Sequence, residues 1–130
     1  VALMASGAFA HDGRPWRHIV MCGLHGIWND LTKQQRDQVV SMRVDLMKKI
    51  TNLKAELGTK RAEMFQLVTK DNPDETAIEK KREEFWATKD AMRAARRSFM
   101  KQLSQVLTPE QKKKMRTVIW GSMCQGFNKP

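Results

Sequence analysis

Ile78, Phe85, Met92, Phe99 and Val106 recur at intervals of seven, and this spacing constrains the fold more than any other feature of the chain. A strict seven-residue repeat keeps one seam of a helix facing one partner and imposes left-handed, coiled-coil-like packing. Ala95 and Leu103 fill part of the companion position, so the stretch from about Asp74 to Val106 is predicted to be one long helix. A second runs from Lys33 to about Lys70. There Val39, Met42, Leu46, Ile50, Leu53, Leu57, Met64 and Leu67 step by three, four or seven along one stripe. Val40, Val44 and Met47 widen that stripe near its start. Gly58 interrupts it at a cost of about 1 kcal/mol and marks a bend or a close helix contact. The short connection over 71–74 folds the two helices back on each other as an antiparallel hairpin.

Each helix carries its own start signal. In Leu31-Thr32-Lys33-Gln34-Gln35, Thr32 is the N-cap and Gln35 the third helical residue, which is a capping box. Leu107-Thr108-Pro109-Glu110-Gln111 repeats it, with Pro109 at the first helical position, where its missing N–H costs nothing. It opens a short third helix, from Pro109 to about Trp120, with Met115, Val118 and Ile119 on its apolar side. For the middle helix, Asn72 is the expected cap, followed by Pro73 at the first position and Glu75 at the third. The pattern holds no strand signal. The expected fold is all-α: a long antiparallel hairpin, a short third helix after it, and a short N-terminal arm that is helical or irregular.

Residues 1–10 are uncharged, apolar and small, and end in Ala8-Phe9-Ala10, the small-x-small pattern of an export-signal cleavage site. They read as a signal-peptide remnant, followed by an arm over 11–30, the hairpin domain over 31–120 and a flexible tail over 121–130. No stretch reaches the ~20 uninterrupted apolar residues of a membrane span. An exported, soluble chain is expected. Lys and Arg outnumber Asp and Glu by 24 to 14, for a net charge of +10. That field attracts acidic partners without choosing among nucleic acid, anionic lipid and acidic protein.

The motifs Leu31-Thr-Lys-Gln-Gln35 and Leu107-Thr-Pro-Glu-Gln111, bracketing a helical hairpin behind an export signal, resemble the LTxxQ-motif family of periplasmic proteins. That family includes the Spy and CpxP chaperone-like proteins and the zinc resistance-associated branch. Ala8-Phe-Ala-His11, Lys60-Arg61-Ala62-Glu63 and Asn72-Pro73-Asp74 are similar to runs of the zinc resistance-associated, heavy-metal-sensing branch. The resemblance covers about residues 8–116. It implies a periplasmic stress protein that forms homodimers or higher homo-oligomers and binds unfolded or misfolded envelope proteins. It also implies restraint of a two-component sensor kinase in some members, and binding of zinc, nickel or cobalt in others. The chain departs from that branch in carrying no His after His25.

All three His residues lie between positions 11 and 25, with one Cys among them. His18, Cys22 and His25 are separated by four and three, so on a helix they share one face. Such a set suits zinc, nickel or cobalt. Gly23 and Gly26 weaken the helix there, although a loop also brings ligands together. Cys124, His11 or a partner chain supplies a fourth ligand. Met21-Cys22 and Met123-Cys124 form matched sulfur-rich pairs that suit copper(I) if they meet. The two cysteines are also open to a disulfide, within or between chains, as is common in an oxidising compartment, or to remaining as thiols. A bridge excludes both thiolates as ligands and leaves a His-only site of His11, His18 and His25.

The basic clusters are Lys48-Lys49, Lys80-Lys81-Arg82, Arg93, Arg96-Arg97, Lys101 and Lys112-Lys113-Lys114-Arg116. Trp86, Arg93, Arg97 and Met100 lie largely off the heptad stripe, a mixed surface suited to loose contact with unfolded chains. The bland alternative is a solvated helix face. The chain shows no nucleophile–base pair, no glycine-rich phosphate loop and no His-Glu-x-x-His, so it is not expected to be an enzyme. A basic helical nucleic-acid-binding protein is the alternative function. The export signal and the lack of a groove-reading motif argue against it.

Overall fold

A computed structural model describes the backbone of residues 14–127 and the side chains of residues 20–121. The described residues form four helices and no strand: α1 (Arg14–Ile27), α2 (Lys33–Val68), α3 (Glu75–Val106) and α4 (Pro109–Phe127). A 3₁₀ turn, Trp28–Asp30, joins α1 to α2. The expected all-α architecture is the one observed, and the described part of the N-terminal arm, from Arg14, is helical. Two sequence expectations change at helix ends. The last helix does not stop near Trp120 but continues to Phe127, through the stretch read as a loose tail. The cap of α3 is Asp74, not Asn72. Asp74 Oδ1 accepts from the backbone N–H groups of Thr76 (3.0 Å) and Ala77 (3.2 Å), so Pro73 stands just outside the helix. A carboxylate satisfies the same orphan donors as an amide and adds a favourable charge at the positive end of the helix dipole.

The chain divides into two compact units: Asp37–Gln105, and the segments up to Arg36 and from Val106 onward. In the first, α2 and α3 pack as an antiparallel hairpin. Lys60 meets Glu84 and Thr88, Glu63 meets Lys81, and Met42 and Leu46 share a groove with Ala95 and Phe99, so the register is constant. Every residue of the predicted α2 stripe is buried or half-buried. On α3, Ile78, Met92, Ala95, Phe99 and Leu103 are buried. Val40, Val44 and Met47 do not join this core and are 43–50% exposed. They sit roughly 100° around α2 from the stripe, and a single partner helix covers only one stripe. Gly58 marks no break in α2 and no close contact, because the helix runs on past it and a Cβ there would meet nothing within 4 Å.

In its distal half the hairpin mixes polar contacts into the apolar seam. Lys81 and Thr88 hold companion positions of the heptad seam that an apolar residue would normally fill. Thr88 is buried, donates to the Glu84 carbonyl (3.1 Å) and accepts from Lys60 Nζ. Lys81 bridges Glu63 of α2 at 2.7 Å and Glu84 of its own helix at 2.8 Å. The hydrogen bonds that Lys81 donates to Glu63 and Glu84 raise its pKa, and the one that Glu84 accepts from Lys81 holds the Glu84 carboxyl below its ordinary range.

The second unit is built around the two Leu-Thr-x-x-Gln motifs. Leu31 and Leu107 are buried with Val20, Leu24, Ile27 and Met115. Both capping boxes form as expected. The Thr32 N–H donates to Gln35 Oε1 (2.9 Å) and the Gln35 N–H to Thr32 Oγ1 (3.1 Å). The Thr108 N–H donates to Gln111 Oε1 (2.9 Å) and the Gln111 N–H to Thr108 Oγ1 (3.2 Å). The two glutamines also reach each other. Gln35 Nε2 donates to the Val106 carbonyl (3.0 Å) and Gln111 Nε2 to that of Asp30 (2.9 Å). Lys114 pairs with the Asp30 carboxylate.

Candidate functional site

The candidate metal ligands begin on α1. Val20, Leu24 and Ile27, at helical spacing, bury one side of it to 5% exposure or less. Gly23 and Gly26, which looked like helix breakers, occupy the contact with α4. A Cβ on Gly23 would lie 2.9 Å from Ile119 Cγ1, and one on Gly26 would lie 2.7 Å from Val118 Cγ1. A side chain at either position would force Ile119, Met115 or Val118 to shift, so close helix approach favours glycine there despite its helix-propensity cost. The buried stripe and the glycine contact leave the remaining arc of α1 to Cys22 and His25. Cys22 is half-buried and His25 exposed.

Of the five residues read as ligands, Cys22 and His25 are the two whose side chains fall among the described residues. Position 18 belongs to the α1 backbone and position 124 to α4, but the His18 and Cys124 side chains, and all of His11, lie outside the described residues. Cys22 and His25, three apart on a helix, stand on adjacent turns within reach of one ion. A thiol and an imidazole are the donors that zinc, nickel and cobalt prefer, but they are two of the three or four a site needs. Among the described residues, no three His, Cys, Asp or Glu side chains form a metal-holding group.

A second candidate is the uncovered face of α2. Val40, Val44 and Met47 follow one another at four and three residues, and Val44 and Met47 line an open groove with Lys48, Thr51 and Asn52. Sequence spacing found these residues but assigned them to the core. Their offset from the main stripe was the signal that they are surface. On α3, Trp86 is 48% exposed and meets Phe85 edge-on, with centroids 5.7 Å apart and planes at 85°. Arg93 and Arg97 are exposed and Met100 half-buried, as expected off the heptad, and Arg93 is paired with Asp90 at 2.9 Å. Arg61 of α2 lies over the Phe85 ring at 5.6 Å. No helix among the described residues is long and apolar enough to cross a membrane.

A family model described as heavy-metal resistance matches residues 1–114 of the chain. No curated protein and no solved structure matches it.

Proposed function

The chain belongs to the heavy-metal resistance family, and from that premise we propose that it is a non-catalytic periplasmic stress protein that binds unfolded envelope proteins. The observation that carries this reading is the uncovered face of α2, where Val40, Val44 and Met47 stay 43–50% exposed beside Lys48. Val and Met offer apolar area without a shaped pocket, and the flexible thioether adapts to many sequences. The neighbouring lysine stem adds apolar contact while its ammonium keeps the face soluble. The test is suppression of aggregation of a thermally unfolded client by wild type and by Val44→Ser/Met47→Ser. Both positions are exposed, so the variant keeps the hairpin. It is expected to lose most of the protection, and undiminished protection sinks the reading.

The donor chemistry of α1 favours a second, compatible activity: binding of zinc, nickel or cobalt by Cys22 and His25. His11, His18 and Cys124 are the proposed sources of the remaining ligands. Bound there, the ion would cross-link the N-terminal arm and couple its order to metal supply. Titration calorimetry with zinc and nickel, reduced and oxidised, tests this against His18→Ala/His25→Ala. Tight binding that the double variant loses is the expected result. Binding lost on oxidation alone would identify the thiols as ligands. No binding in either state removes the metal reading for those ions.

A further inference from the structure

α4 uses one side and leaves another bare. Met115 is buried, and Val118 and Ile119 pack on the glycines of α1. Lys113, Arg116 and Trp120 follow at three and four residues along a different face, and all three are exposed. Trp120 is 68% exposed, and a Cβ on the adjacent Gly121 would meet nothing within 4 Å. Lys112, Lys113, Lys114 and Arg116 place four cations within five residues. Lys114 is matched by Asp30, whereas Lys112, Lys113 and Arg116 form no ion pair among the described residues. An exposed indole on a helix face, beside cations that form no ion pair among the described residues, suits an anionic, partly apolar surface.

We infer that the Lys113–Arg116–Trp120 face of α4 docks on an anionic phospholipid bilayer. Lys and Arg meet the phosphates, and the indole settles at the depth where one edge is apolar and its N–H is still wet. The association is peripheral, since no described helix can span. A second copy of this chain is a poor occupant. An isologous contact would set the same cations against each other in a protein already carrying a net charge of +10. The choice of lipid over nucleic acid rests on the exported location proposed above. Docking by α4 uses none of the α2 residues assigned to clients and needs no metal.

The experiment is co-sedimentation of the full chain with vesicles of phosphatidylglycerol and phosphatidylethanolamine, against neutral phosphatidylcholine vesicles, at low and high salt. Binding to the anionic vesicles alone is expected, weakening as salt rises. Trp120 emission, taken as the difference between wild type and Trp120→Phe, should shift to the blue on binding. Lys113→Glu/Arg116→Glu should weaken binding at least about tenfold, and Trp120→Ala should also weaken it. These side chains are exposed, so the variants should melt like wild type by circular dichroism. Absence of binding, equal binding to neutral vesicles, or binding unchanged in both variants overturns the inference. So does capture of a single-stranded RNA oligonucleotide in preference to the vesicles. A chain that binds neither metal nor client yet still binds these vesicles would refute the proposed function and leave this inference intact.

Discussion

Gln35 and Gln111, 76 residues apart, hydrogen-bond each other in both directions: Gln35 Nε2 donates to Gln111 Oε1 at 2.9 Å, and Gln111 Nε2 to Gln35 Oε1 at 3.1 Å. Each also closes its own capping box and donates to a distant carbonyl, so one amide does four jobs. Gln111→Ala is expected to destabilise by about 1–3 kcal/mol, because it strands partly buried partners as well as losing a cap. Gln35→Ala should cost a similar amount. The double variant should cost less than the sum, with a coupling of about 0.5–3 kcal/mol in urea unfolding. Additive losses would mean that the pair is not energetically linked.

Two glycines of the same helical conformation should respond oppositely to alanine. At Gly26 the new methyl would fall 2.7 Å from a γ-carbon of Val118, a β-branched neighbour with little freedom to turn away. Gly26→Ala should destabilise by about 1–3 kcal/mol. At Gly58 the methyl meets open space, so Gly58→Ala should stabilise by about 0.4–1 kcal/mol. Chemical denaturation of the two variants beside wild type decides both signs.

The Lys81 cluster makes stability depend on pH at both ends. The Glu84 pKa is lowered, so in acid the unfolded chain takes up a proton before the folded one does. Its contribution is complete above the ordinary carboxylate value of 4.5 and is lost as pH falls through the depressed one. The Lys81 pKa is raised, so its contribution is complete below 10.5 and is lost as pH rises through the elevated value. Lys81→Met should flatten both limbs of a stability–pH profile while leaving the neutral plateau nearly level, since the pairs are partly exposed. A profile parallel to wild type would assign the pH dependence elsewhere.

In the absence of client, the uncovered stripe of α2 should also drive self-association, in competition with client binding. Analytical ultracentrifugation is expected to show at least a dimer, shifted towards monomer by Val44→Ser/Met47→Ser. A strictly monomeric wild type at every concentration would count against it.

Local chemistry made much of this molecule legible from sequence. The Thr32/Gln35 and Thr108/Gln111 boxes form as read, because a capping box is satisfied within four residues. The stripes of α2 and α3 also hold, because one partner helix selects one face. What stayed hidden depends on a second element. Gly23 and Gly26 looked like breakers until α4 lay against them. Val44 and Met47 looked like core until they proved to lie off the seam that faces α3. Choosing Asp74 over Asn72 needed the side-chain bonds themselves, since both residue types cap well. Of the candidate ligands, sequence spacing put His18, Cys22 and His25 on one helical face, and the described structure reaches Cys22 and His25.

The contrast along the hairpin, apolar around Met92–Leu103 and mixed with polar contacts around Lys60, Lys81 and Thr88, should set the order in which its amides exchange with solvent. Polar contacts gain little over water, so the end near the turn should open in brief excursions that spare the other end. Protection in α3 should then rise from about residue 78 to about residue 103 as separate exchange classes. A helix pair that breathes from its tip can lengthen or shorten its ordered surface without unfolding.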